Sequence, residues 1–96
     1  MSIKKGDLIQ VNLPPVDSMS TAEIQEELFT SLKLLKETDI LISVTPPYEH
    51  ERPTLYQGNA GRGKAFIVNS LILCVDLLHG NKLYKAVPIK YLKRAT

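Results

Sequence analysis

With 96 residues, 44% of them hydrophobic, 23% charged and 6% aromatic, the chain has the length of one small domain and an ordinary globular composition, which excludes two domains, a disordered chain, a collagen repeat and a disulfide scaffold. Its net charge of +2 hides a gradient: residues 17–51 hold eight acids against Lys33 and Lys36, whereas residues 77–96 hold Lys82, Lys85, Lys90, Lys93 and Arg94 and no acid. Such a basic end suits nucleic acid, an acidic partner or the chain's own acidic segment.

Gly6 precedes Asp7–Leu13, a short run rich in branched residues that Pro14-Pro15 stops, which is the pattern of a strand. Ser20-Thr21-Ala22-Glu23 then forms a capping box: the Ser20 hydroxyl is spaced to accept the Glu23 backbone N–H while the Glu23 carboxylate reaches back. Met19 and Ile24 are spaced as a hydrophobic staple at the same entry. Ile24, Leu28, Leu32 and Leu35 recur at steps of 4, 4 and 3, one face of a helix. Acids near the start and Lys33 and Lys36 near the end suit the helix dipole, so one helix is predicted from Thr21 to about Glu37.

Ile40–Thr45, ended by Pro46-Pro47, reads as a second strand. Residues 46–64 contain Pro46, Pro47, Pro53, Gly58, Gly61 and Gly63, which predicts a long mobile loop with a short extended piece at Thr54-Leu55-Tyr56. A loop of that length in a small domain is the first place to look for a binding element. Residues 65–78 fit either one helix or two strands, 65–68 and 71–78, joined by a turn at Asn69-Ser70. Ile67, Val68, Ile72 and Val75 are β-branched and favour strands. His79-Gly80-Asn81 supplies turn chemistry and Lys82–Val87 alternates, so Leu71–Val87 is predicted as a hairpin, followed by a short helical turn opened by Pro88.

The stretch Ala86-Val87-Pro88-Ile89-Lys90-Tyr91-Leu92 after a hairpin resembles the closing segment of SH3-like small barrels, and Gly6-Asp7-Leu8-Ile9-Gln10-Val11 resembles the first strand of their bacterial members. The resemblance spans Gly6–Leu13 and about 63–94, under half of the chain. It implies an α+β fold: an SH3-like antiparallel barrel or sheet of about five strands, with one amphipathic helix inserted over 20–37 and a loop over 46–64. Peptide-binding SH3 domains dock proline-rich segments on an aromatic groove, and by that analogy Pro88 and Tyr91 match groove positions; Tyr48 and Tyr56 of the long loop are further partner-binding candidates, placed to stack on a base if the loop faces the same groove. The absence of Trp and of any aromatic residue in the first strand departs from that groove.

Gly58-Asn59-Ala60-Gly61-Arg62-Gly63-Lys64 matches the glycine and lysine spacing of a phosphate-binding loop. The next residue is Ala65, so the Mg²⁺-holding hydroxyl is missing, and Leu71–Asp76 follows too soon after Lys64 for a helix and return strand. Read plainly, the loop offers Arg62 and Lys64 to a phosphate backbone, with Lys85, Lys90 and Lys93 alongside. Glu49-His50-Glu51 is one loop triplet and cannot supply a zinc site alone, and His50 and His79 are placed in loops. Cys74, the chain's one cysteine, sits in an apolar run that disfavours its thiolate. Neither an enzyme nor a metal or cofactor is therefore expected.

The unpaired Cys74 suits a reducing cytosol, and no apolar signal segment follows Lys4-Lys5, so a cytoplasmic location is expected. The apolar window Ala65–Leu78 is shorter than the roughly 20 residues of a membrane span. The expected role is a non-catalytic protein-interaction or adaptor module, with a helix-mediated homodimer suggested by the Ile24/Leu28/Leu32/Leu35 stripe and its flanks Phe29 and Leu34. The alternative is a nucleic-acid-binding barrel using Arg62, Lys64, Lys85, Lys90 and Lys93.

Overall fold

Branched apolar runs punctuated by turns build a sheet, and the computed structural model, which describes residues 3–57 and 65–95, shows how it closes. Its strands are β1 (Leu8–Val11), β2 (Leu41–Ser43), β3 (Tyr48–Gln57), β4 (Ala65–His79), β5 (Lys82–Pro88) and β6 (Leu92–Arg94). They form one antiparallel sheet in the order β3-β4-β2-β1-β6, with β5 on the other edge of β4. The sheet curls into a half-barrel beside two short helices, α1 (Thr21–Gln25) and α2 (Glu27–Lys33), an α+β architecture.

The barrel's hairpin has its turn where the sequence places it. β4 ends at His79, β5 begins at Lys82, and Gly80 adopts φ +60°, a conformation that costs glycine nothing. Pro88 then opens a 3₁₀ turn, Ile89–Tyr91, that delivers the chain to β6 and its pairing with β1. The inner face carries the core: Ile9, Leu41, Leu77 and Val87 are fully buried, and Tyr84, Tyr91 and Leu92 complete it from β5, the turn and β6.

Several expectations are corrected. The predicted loop over 46–64 contains a ten-residue strand, β3, paired with β4 from Tyr48↔Cys74 to Gln57↔Ala65. Pro53 is tolerated there because β3 is an edge strand, where a missing N–H breaks no ladder on the open side. The turn expected at Asn69-Ser70 is absent, since β4 runs unbroken over 15 residues with Ser70 opposite Arg52 and Asn69 opposite Pro53. His50 and His79 accordingly lie in β3 and at the end of β4 instead of in loops. Six strands are present among the described residues where about five were expected. Residues 58–64, with the glycine-rich motif, lie outside the described residues.

The predicted single helix is broken at Glu26, whose ψ of 139° is extended. Ser20 caps α1 by accepting the Glu23 N–H, as expected, but its hydroxyl also donates to Glu23 Oε1 at 3.2 Å, so the carboxylate engages the side chain of the cap. The break re-phases the second half. Phe29, one residue off the predicted stripe, becomes 2% exposed, beside fully buried Leu32, and its ring meets Tyr91 edge-on at 6.2 Å. Ile24, Leu28 and Leu35 are partly buried and pack against the same core. Leu34 remains 81% exposed.

Candidate interaction surface

Strand alternation sends neighbouring residues to opposite faces. In β1, β2, β4 and β5 an inner core residue therefore has an apolar neighbour that must face outward: Ile9 has Leu8, Leu41 has Ile42, Leu77 has Leu78 and Tyr84 has Leu83. Strand register then lines the outward residues up, since Leu8 pairs with Ile42, Ile42 with Leu78 and Leu78 with Leu83. Their exposures are 46%, 44%, 37% and 47%. At about 4.8 Å between strands the four side chains make an apolar row about 14 Å long across the sheet. Ile40 adds to it beside Ile42 and is also exposed. Scattered apolar side chains are ordinary on a protein surface, and these four differ in being contiguous.

Positive charge borders the row. Lys85 lies two residues along β5 from Leu83, and Lys93 is registered with Gln10, two residues along β1 from Leu8; both lysines are exposed. Beyond Leu83, a groove of about 360 Å³ runs between β5 and α2, lined by Leu28, Ser31, Glu27 and residues 82–85.

Two polar clusters hold the frame, and the first, around Asp76, two residues along β4 from Leu78, shares this face. At the irregular step between Val75 and Leu77, β5 carries one extra residue, and Ala86 takes the left-handed φ of 53°. Asp76 anchors that bulge: its Oδ1 accepts the Ala86 N–H at 2.8 Å and the Tyr48 hydroxyl, while its own N–H donates to Thr45 Oγ1 at 3.0 Å. Burial, helped by the neighbouring Asp76 carboxylate, pushes the Tyr48 phenol up to about 12. In the second cluster, Glu23 is 3% exposed and lies 3.9 Å from the Lys90 ammonium, and Arg52 of β3 pairs with Glu26 at the helix break. Burial and then the Glu23 and Glu26 charges push the Tyr91 phenol up to about 12.

These placements sort the residues singled out from sequence. Pro88 and Tyr91 are buried, so neither side chain presents a surface. Tyr48 is half-buried with its hydroxyl engaged by Asp76. For Tyr56 the structure describes the backbone alone, opposite Phe66 in the β3–β4 pairing. Arg62 and Lys64 lie outside the described residues. Lys85, Lys90 and Lys93 are exposed but on three elements, and Lys90 is taken up by Glu23 and by the Tyr91 ring at 5.4 Å. Cys74 is fully buried, and burial raises its thiol pKa.

Among the described residues no group of three His, Cys, Asp or Glu side chains is placed to hold a metal ion, and no helix is long and apolar enough to cross a membrane. Sequence reading did not find the row. Its signal was the doublets Leu8-Ile9, Leu41-Ile42 and Leu77-Leu78, but only strand register shows that their outer members align. Compared with protein-family profiles, with curated proteins and with solved structures, the chain gives no match to any of the three.

Proposed function

We propose that the protein is a non-catalytic interaction module, an SH3-like small barrel that docks a partner protein on the outer face of its sheet. The row Leu8–Ile42–Leu78–Leu83 carries this reading: four exposed apolar side chains in direct register, rimmed by Lys85 and Lys93. An apolar centre with a charged rim is the general anatomy of a protein-docking patch. The SH3-like order supports the barrel assignment: a first strand pairing with the last, and a hairpin followed by a proline-opened 3₁₀ turn. The docking face differs from the aromatic groove of peptide-binding SH3 domains, because here the corresponding proline and tyrosine are buried.

The test is a photo-cross-linking amino acid at position 83 in the native cell, with exposed Thr30 on α2 as the control position. A discrete adduct at 83, absent at 30 and lost on Ile42→Lys, is the expected result. Equal adducts at both positions overturn the reading. So does binding to random DNA or RNA that falls steeply with salt and disappears in a Lys85→Gln, Lys90→Gln, Lys93→Gln variant, which assigns the surface to nucleic acid.

A further inference from the structure

Upstream of Cys74, β4 pairs with β3 alone among the described strands, so the two form a ribbon running beyond the half-barrel. Leu71 and Leu73 share a face of β4 with fully buried Val75 and Leu77, yet are 65% and 54% exposed. The register sets Glu51 opposite Leu71 and Glu49 opposite Leu73, and both carboxylates are exposed. Neither has an ion-pair partner among the described residues, and the same holds for Lys85 and Lys93 beside the row. One small chain thus carries two exposed apolar patches with opposite rims, an acidic one on the inner face of the ribbon and a basic one on the outer face of the barrel.

We infer that the row of one copy receives the ribbon of a second copy, an inference that rests on the interaction role proposed for the row. Row against row brings lysines together, and ribbon against ribbon brings Glu49 and Glu51 together; like charges so juxtaposed oppose association. Ribbon against row sets leucines on apolar side chains and carboxylates beside ammonium groups. The patches face opposite sides of the sheet, so copies stacked in the same sense bring them together without a two-fold axis. The contact is heterologous, head to tail, and each copy offers both halves of it.

Sedimentation equilibrium up to about 1 mM tests this, since an interface this small is expected to be weak. Two variants are needed: a ribbon variant, Leu71→Ser, Leu73→Ser, Glu49→Gln, Glu51→Gln, and a row variant, Leu83→Ser, Lys85→Gln, Lys93→Gln. All seven positions are exposed, and matched unfolding curves check that the fold survives. For the ribbon, Glu49→Gln with Glu51→Gln alone serves as a second variant that keeps the leucines. The native chain is expected to self-associate, each variant alone to do so at least tenfold more weakly, and an equimolar mixture to give a 1:1 pair. That pair joins the intact ribbon of one variant to the intact row of the other. A native chain that stays monomeric, association indifferent to both variants, or a mixture that stays monomeric overturns the inference. If association fails while residue 83 still cross-links a different protein in the cell, the interaction role of the row survives alone; if the adducts at 83 match those at 30, both fall.

Discussion

Leu77 and Leu71 lie on the same face of the same strand, and one is fully buried while the other is 65% exposed. Around Leu77 the sheet supplies Ser43 from β2 and Tyr84 from β5 in register, and Phe29 and Leu32 from α2 belong to the same core. Opposite Leu71 the register supplies Glu51 from β3. Local chemistry is the same in both places. What differs is the number of elements that converge, so alternation along β4 says which way a side chain faces and not whether anything covers it.

The largest expected effect separates the two regions directly. Leu77→Ala removes a fully buried side chain and is expected to cost about 2–5 kcal/mol in urea unfolding, whereas Leu71→Ala stays within about 0.5 kcal/mol. Equal losses would break the contrast between barrel and ribbon.

Next comes the carboxylate that anchors the bulge. Asp76→Ala strands the Ala86 N–H and the Tyr48 hydroxyl and is expected to cost about 1–3 kcal/mol. The two polar clusters together set an alkaline limit. Tyr48 and Tyr91 are each raised from 10.0 to about 12 in the fold, so the unfolded chain loses those protons first. Their contribution to stability is full below pH 10 and is lost as pH rises from there through about 12. Unfolding measured across that window should show the loss, and Tyr48→Phe should reduce it.

Smaller effects sharpen the picture of how the barrel is held. Ser20→Ala removes the cap of α1 and is expected to lower stability by about 1 kcal/mol. Ala86→Gly runs the other way: relieving the left-handed φ of 53° should raise stability by up to about 1 kcal/mol, read as a shifted denaturation midpoint. Smallest of all, Arg52→Met breaks the pair with Glu26, a partly exposed contact of at most about 1 kcal/mol. Its signature is local: amide exchange should quicken in β3 around residue 52 while the β4–β5 hairpin is unchanged.

Much of the frame was legible as local chemistry. The capping Ser20, the Gly80 turn, the proline-opened 3₁₀ turn at Ile89–Tyr91 and the burial of Cys74 each follow from a few adjacent residues. β3 was legible only as the extended piece at Thr54-Leu55-Tyr56, because Pro46, Pro47 and Pro53 read as breakers and only its position at the sheet edge makes Pro53 harmless. The helix break at Glu26 was hidden for a similar reason. Nothing in Glu26 or Glu27 disfavours a helix, but Arg52, which pairs with Glu26, belongs to a strand 26 residues away.

The amino-acid order alone settles which residues are apolar and such local features as the Ser20 cap, the Gly80 turn and the turn opened by Pro88, because those depend on neighbours within a few positions. It leaves open which apolar residues stay in water. Leu8, Ile42, Leu78 and Leu83 come from four separate strands and become one surface only through long-range register, while Pro88 and Tyr91 are buried only in the folded chain, where Phe29 of α2 meets the Tyr91 ring. Burial is a property of converging elements, and that convergence is decided in three dimensions.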